Sequence, residues 1–452
     1  MIPAFEHTMR TMLGSDFEAF QAALSQPAPV SIRLNSRKNY QLPIDIAPVP
    51  WHPQGYYLKE RPVFTLDPAW HAGAYYVQEA SSMVLRAVLD GLDLPPNGLR
   101  VLDLCAAPGG KTTLVSDWLG DRGILLSNEV IRQRYGVLAQ NVVRWGLPNT
   151  ALSNLDPEQL GALSGWFDLV LVDAPCSGEG LFRKDPDAAS QWSPEAVDVC
   201  AGRQKRILAA AGPLLRPGGY LIYSTCTYNE QENEENMAWW AGQSGWEHFP
   251  MQAPADWGLV ESPWGRRCFP HKMKGEGLFI SVWKNTRPLT ELAPGKPGTW
   301  PFQLVSKKER VSLEAWLDTE KGWEMGKLSR GSLAVWPEHL TPDLQVLLQS
   351  VRCEWPFLAG ELIRDELNPA HSLALNIARS PAIPVVDFSR EEALQYLKKE
   401  TFGGFSGKGR RLAQYQGLAL GWLKLLPNRF NNYLPTDWRI RMDIKKTEID
   451  EQ

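Results

Sequence analysis

Residues 99–112 read LRVLDLCAAPGGKT. Residues 99–105 form an apolar run of the length expected for a strand buried on both faces, and Gly109 and Gly110 then break it ahead of helix-favouring residues. The same strand–loop–helix rhythm continues downstream. It predicts a helix over 111–119, a strand at GILLSNEV (123–130) and a helix over 131–145. A strand at FDLVLVDAP (167–175), a long helix over 195–215 and a strand at GGYLIYSTC (218–226) follow. Uninterrupted apolar strands alternating with helices specify an α/β fold, a doubly wound Rossmann-like parallel sheet covered on both faces. Its crossovers are right-handed. Ligands bind such sheets beyond the carboxyl ends of the strands, and the loops beginning at Cys105, Asp173 and Cys226 all lie there.

The chain outside this core divides by composition. With 452 residues it has room for several domains, and 44% hydrophobic with 22% charged residues is ordinary for a soluble globular protein. No apolar run approaches the roughly 18 residues of a membrane span, and the first residues lack the basic and apolar blocks of a signal peptide. The six cysteines (Cys105, Cys176, Cys200, Cys226, Cys268 and Cys353) include no C-x-x-C pair. That pattern points to reduced thiols in the cytoplasm, with neither a disulfide framework nor a metal site expected. Residues 1–95 read as an α+β extension, with a helical start over 5–24, the Pro-rich PIDIAPVPWHPQG (43–55) and the basic SIRLNSRK (31–38). The α/β domain is expected over 96–286. TRPLTELAPGKPGTWP (286–301) reads as a linker, followed by small units over 300–360 and 380–445 and a solvated tail, KKTEIDEQ.

The loop CAAPGGKT is one residue short of the phosphate-binding pattern G-x-x-x-x-G-K-[ST], because Cys105 stands where the first glycine belongs. With LVLVDAP as the magnesium-holding strand, a P-loop ATPase is one reading. Against it stands Glu129, at the end of the next strand, where dinucleotide folds place an acid for ribose hydroxyls. A glycine-rich turn and such an acid fit an adenosine ligand without a triphosphate, and S-adenosylmethionine is one. Two thiols accompany it. DAPCSGEG (173–180) and STCTYNEQENE (224–234) place Cys176 and Cys226 at the ends of two strands. A helix expected to start at Asn229 would favour a thiolate at Cys226. Either cysteine alone reads as an ordinary buried residue; as a pair beside an adenosine site they point to methylation at C5 of a pyrimidine. That carbon is too weak a nucleophile until a thiolate adds at C6, and an acid near cytosine N3, with Asp173 in the right neighbourhood, assists the addition.

Together with YYVQEASSM (75–83) and PHKMKGEGLFI (270–280), these motifs resemble the RNA 5-methylcytosine methyltransferases of the nucleolar-protein/Sun family over residues 75–285. The length and the C-terminal TFGGFSGKGRR…GLALGWLKLLPNRFNNYLP are similar to the bacterial branch that acts on small-subunit rRNA and appends a PUA-like RNA-binding domain. The resemblance implies Cys226 as nucleophile and Cys176 in product release. DNA cytosine methyltransferases use the Pro-Cys thiol as nucleophile instead, so the residues alone leave the assignment open. It further implies that Cys105, Ala106, Ala107, Pro108, Gly109, Gly110 and Lys111 bind S-adenosylmethionine, with Glu129 at its ribose and Asp156, or its rival Asn154, at the adenine. Asp173 would lie between cofactor and base, with Lys111 and Arg134 supporting by charge. The substrate implied is a cytosine of 16S rRNA, free or in the 30S subunit, with tRNA as the alternative and a monomer expected.

A net charge of −4 does not announce RNA, so binding needs a local basic face. Residues 398–429 supply seven basic residues (Lys398, Lys399, Lys408, Arg410, Arg411, Lys424, Arg429) against Glu400 alone. Arg33, Arg37 and Lys38 form a second, weaker basic segment. The 19 tryptophans read mainly as packing.

Overall fold

The computed structural model describes residues 2–42, 46–288, 298–318, 320–364, 366–427 and 429–442. Parts of the Pro-rich segment and of the linker, and the KKTEIDEQ tail, lie outside the described residues. The central sheet is built from β1 (Leu99–Asp103), β2 (Gly123–Asn128), β3 (Thr150–Ser153), β4 (Phe167–Asp173), β5 (Leu215–Thr225) and β6 (Leu278–Asn285). Their spatial order is β3-β2-β1-β4-β5-β6, parallel except for the antiparallel β6. Strand order reverses between β1 and β4, and this switch point opens the crevice in which doubly wound sheets bind ligands.

The apolar runs form strands because both of their faces are covered. Ile124, Leu125 and Leu126 of β2 are fully buried, as are Leu169 to Val172 of β4. Each side chain of this size stabilises the fold by about 1.5–3 kcal/mol on burial. Helices α1 (Gly110–Leu119), α2 (Arg132–Trp145) and α3 (Pro194–Ala211) do the covering. In α2, Tyr135, Leu138, Val142 and Trp145 recur at helical spacing on the buried face, and the helix stops at Gly146 in the left-handed region (φ 76°). The Ser193 hydroxyl caps α3 by accepting from the Ala196 N–H at 3.2 Å, with Pro194 at the first helical position. On its buried face, Gln204 is the polar exception among Val197, Ala201, Ile207, Leu208 and Ala211.

Among the described residues, three smaller sheets flank this core. The N-terminal sheet contains Val30–Leu34, Ala47–Pro48, Gly55–Leu58 and Tyr75–Val77. A five-stranded sheet runs from Phe302–Leu304 to Glu366–Pro369, and a four-stranded one from Val385–Asp387 to Arg429–Asn432. Cys353–Glu354 pairs with β3 and extends the central sheet. The expected single helix over 5–24 is two, Pro3–Leu13 and Phe17–Leu24, divided by a 3₁₀ turn at Gly14–Asp16. Gly14, at φ 53°, ends the first helix. Phe5 and Phe20 of these helices pack on Tyr228 and Phe269, bracing the loop after β5 from outside. The helix expected over 195–215 ends at Ala211 in a 3₁₀ turn.

Candidate active site

Strands β4 and β5 end level, with Asp173 opposite Ser224, whose hydroxyl donates to Asp173 Oδ1 at 2.7 Å. The chains leaving the two strands bring Cys176 and Cys226 together, Sγ to Sγ 3.1 Å, both as free thiols. The Cys226 N–H also points at Cys176 Sγ, at 3.4 Å. The hydrogen bond with Cys226 and then burial push the Cys176 thiol well above its usual value. At this separation one thiol can hand its proton to the other sulfur.

The sequence reading expected a helix start at Asn229 to polarise Cys226. That expectation is corrected: the helix begins at Glu234, and residues 226–233 form a compact turn instead. Two buried carboxylates hold the turn. Glu179 accepts from the Thr227 hydroxyl (2.7 Å), the N–H groups of Tyr228 and Asn229 (both 2.8 Å) and the Trp192 indole (3.0 Å). Glu232 accepts from the Ser177 N–H (3.0 Å), Gln204 (2.6 Å) and Asn229 (2.8 Å). Together they join the Cys176 loop to the Cys226 loop. Gly180 completes the fit: its N–H donates to the Cys226 carbonyl at 2.8 Å, and a Cβ there would lie 2.7 Å from that oxygen. In the sequence these motifs stand out by their thiols, and Glu179, Glu232 and Gln204 do not. The one local signal was Gln204 on an otherwise apolar helix face.

Positive charge reaches the thiols from α1. Gly109, at φ 111°, lets the loop turn tightly enough for α1 to begin at Gly110 and set Lys111 on its first turn. Lys111 Nζ lies 2.6 Å from Asp173 Oδ1. Burial works against the ammonium, but attraction and hydrogen bonding to Asp173, with Cys226 and Asp103 nearby, lift it above its ordinary value. Asp103, at the end of β1, is fully buried and accepts from the Thr112 hydroxyl at 2.6 Å, while its Oδ1 has no partner among the described residues. Burial, with Asp173 adding repulsion, pushes its carboxyl up to about 7. Burial likewise raises the Cys105 thiol, which stays neutral.

Glu129, 3% exposed, ends the chain leaving β2. The Ile131 N–H donates to one of its oxygens at 2.8 Å, while Arg134 stands 3.5 Å from the other and donates to the Ala107 carbonyl at 2.6 Å. Glu129 thus keeps acceptor capacity for a ribose diol, beside the Cys105–Gly110 loop. Lys111, the residue a P-loop would aim at phosphate, is committed to Asp173. This donor set fits the adenosine part of S-adenosylmethionine and not a triphosphate. The Asp156 carboxylate caps the 3₁₀ turn Pro157–Leu163 and meets Arg206 at 3.2 Å. The Asn154 amide donates to the Glu129 and Val130 carbonyls.

The basic segments divide differently from expectation. Arg33 is corrected as an RNA contact. It is fully buried, donates to Gln78 (2.7 Å) and Thr113 (2.6 Å), and lies 4.4 Å from the Trp145 ring. The two-residue period of its strand puts it on the face that packs against α1. Lys38 is half-buried and donates to the Ala72 and Arg144 carbonyls, whereas Arg37 is exposed. The 398–429 cluster is not one face. Arg410 stands opposite Lys424 in the hairpin, Arg411 points to the other side, and Lys398 pairs with Glu400 at 2.7 Å. Lys399 donates to the Leu434 carbonyl; Lys408 and Arg429 are exposed.

Comparison with known proteins bears on this geometry. Residues 92–284 match the family described as 16S rRNA methyltransferase RsmB/F. A curated ribosomal RNA small subunit methyltransferase F from Salmonella agona (strain SL483) is 37% identical over 74% of this chain and 73% of its own length. The chain belongs to the RsmB/F family. Residues 2–80 match the N-terminal domain of 16S rRNA methyltransferase RsmF, and residues 383–440 match the methyltransferase RsmF PUA domain. A second RsmF-type relative, from Vibrio vulnificus (strain YJ016), is 32% identical over 96% of both chains. Among solved structures, a methyltransferase homologue from Pyrococcus horikoshii superposes with a TM-score of 0.54 at 27% identity, over 62% of this chain and 94% of its own. As an RsmB/F-family chain, the protein is an S-adenosylmethionine-dependent RNA methyltransferase with a Rossmann-like domain and a C-terminal PUA-like domain. Among the described residues, no helix is long and apolar enough to cross a membrane.

Proposed function

We propose that this chain methylates C5 of a cytosine in 16S rRNA through a covalent adduct between Cys226 and C6 of the base. The observation that carries the proposal is the thiol pair, 3.1 Å apart at the ends of β4 and β5 and beside the 2.6 Å Lys111–Asp173 ion pair. S-adenosylmethionine, held by the 105–111 loop, Glu129 and Arg134, with Asp156 toward the adenine, supplies the methyl group.

The chain's own residues do the rest. Cys226 attacks as the thiolate: its sulfur bonds to C6, and the C5–C6 π electrons shift to leave an electron-rich enamine at C5. Asp173 accepts from the exocyclic N4 amine of the cytosine and so fixes its N3 edge, and the Lys111 ammonium beside it steadies the negative charge that passes from the thiolate into the ring. Once C5 carries the methyl group, its proton passes to solvent water, the C–H electrons re-form the C5–C6 double bond and the Cys226 sulfur leaves with the C6–S pair. Cys176, 3.1 Å away, delivers its S–H proton to the departing sulfur and takes it back when Cys226 next attacks as the thiolate. The target base reaches the thiols unpaired or flipped, at a cost of a few kcal/mol.

The test is adduct trapping with a 16S rRNA fragment and a tRNA in parallel. Cys176→Ala should accumulate a denaturant-resistant protein–RNA adduct, while Cys226→Ala should lose both adduct and methyl transfer. Methylation by Cys226→Ala would overturn the assignment of the nucleophile. Transfer to tRNA alone would overturn the substrate.

A further inference from the structure

A second site lies away from the thiols, where three parts of the chain meet. A cavity of about 290 Å³ is lined by Arg37 and Lys38, which follow the strand Val30–Leu34, by Lys321, and by Asn376 and Arg379, which follow the helix His371–Leu375. The hairpin turn at 417–419 closes it. None of its lining residues is acidic.

Close backbone contact holds the walls. The Ile377 N–H donates to the Gly146 carbonyl at 3.1 Å, and a Cβ on Gly146 would stand only 2.1 Å from the Leu375 oxygen. Lys38 donates to the Ala72 and Arg144 carbonyls, which uses two of its three N–H bonds. Asn376 is 3% exposed. Its oxygen accepts from the Ala378 N–H at 2.8 Å, but its amide nitrogen has no partner among the described residues. A buried donor left without an acceptor is destabilising unless a ligand provides one. The cations also crowd one another: burial, then Arg379 and Arg144, press the Lys38 ammonium down to about 7. The cavity thus offers surplus donors and surplus positive charge and, among the described residues, has no side-chain counter-ion.

We propose that this cavity binds a phosphodiester group of the RNA substrate. Phosphate oxygens supply the acceptors that Asn376 lacks and the charge that Lys38 and Arg379 lack, and the exposed Arg37 and Lys321 meet the same group from the rim. The proposal rests on the reading of this chain as an RNA methyltransferase. It places one backbone contact at the junction of the N-terminal sheet, α2 and the C-terminal units.

The experiment measures binding of a 16S rRNA fragment to the full chain by fluorescence anisotropy across a salt series. The variants are Arg37→Ala/Lys321→Ala, both at exposed positions, and Lys307→Ala/Arg330→Ala as a charge-matched pair elsewhere. The first pair should weaken binding about 10-fold near 0.1 M salt and flatten the log–log salt slope by roughly 0.7–1.8, the range for one to two lost phosphate contacts. The second pair should leave both unchanged, and thermal melting should show the first pair folded. An unchanged slope, or the same loss in both pairs, overturns the proposal. A ³¹P NMR titration with inorganic phosphate forms the other arm. Saturable phosphate binding that Arg37→Ala/Lys321→Ala abolishes, with an unaltered RNA slope, also overturns it and makes the cavity a site for the free anion. Failure of the RNA reading itself is distinct, because the wild-type chain would then neither bind nor methylate the fragment.

Discussion

Replacing Glu179 with glutamine tests whether the thiol loop is held by a buried charge. Glu179 is 1% exposed, and no ion pair to it occurs among the described residues; its carboxylate is satisfied by four donors from residues 192 and 227–229. Hydrogen bonds to a charged group are worth about 1.5–3 kcal/mol and neutral ones about 0.5–1.5, so loss of the charge weakens each of the three bonds at Oε2 by roughly 1 kcal/mol. The amide that replaces Oε1 is a donor facing the Trp192 indole, itself a donor, which adds about 1–3 kcal/mol for an unsatisfied pair. Glu179→Gln should therefore lower stability by about 4–6 kcal/mol, measured by urea unfolding followed through tryptophan fluorescence. Thr227, Tyr228 and Asn229 follow Cys226 directly, so the turn that aims its sulfur loosens as well. Methyl transfer at saturating RNA and S-adenosylmethionine should fall about 10- to 100-fold, equivalent to roughly 1.4–2.7 kcal/mol in the barrier. Wild-type stability would refute the hydrogen-bond argument. Lost stability with unchanged kcat would refute the positioning argument.

Other consequences follow from the same geometry. The carboxyl of Asp103 is held near 7 by burial and by Asp173. Because this folded value lies above the unfolded one, its contribution is fully present below about pH 4 and is lost as pH rises through 7. Asp103→Asn should thus gain on the wild type by up to about 4 kcal/mol between pH 4 and pH 8, read as a pH series of unfolding curves. A difference that stays flat with pH would contradict it. Arg33→Met removes the hydrogen bonds to Gln78 and Thr113 and the Trp145 contact. It should cost about 3 kcal/mol of stability while leaving the salt slope of RNA binding unchanged; a flatter slope would return Arg33 to the RNA surface. Gly180→Ala drives a Cβ to 2.7 Å from the Cys226 oxygen and 3.0 Å from Gly277 Cα. Adduct formation should drop at least 10-fold, and wild-type adduct rates would show that the backbone there yields easily.

Which parts were legible in advance depended on the range of the interaction. The sheet was readable from residues 99–226 because strand burial is written locally, as apolar runs broken by glycine and capped helices. The loops at Cys105, Asp173 and Cys226 followed from that sheet, since parallel strands put their ligand-facing ends on one side. Glu179 and Glu232 were not readable, because an acid in a glycine- and asparagine-rich stretch looks solvated until its donors are known. The helix start misplaced at Asn229 had the same origin. Asn229 makes its bonds with Thr227, Glu232 and Glu179 rather than opening a helix, and Glu179 lies 50 residues away in the chain.

The basic segments show the boundary most clearly. Alternation places Arg33 on one face of its strand and Arg410 opposite Lys424 in a hairpin, but a two-residue period does not say which face meets protein and which meets solvent. The sequence by itself determined the Rossmann-like core, the two strand-end thiols and the glycine-rich loop after β1, all of which rest on local periodicity and turn chemistry. Only the tertiary structure decided that Cys176 and Cys226 touch, that Lys111 serves Asp173, and that Lys38 meets Arg144 across 106 residues of chain at the wall of a charged cavity. Those outcomes depend on which surfaces pack together, and the solvation and charge of a buried polar group are set by partners distant along the chain.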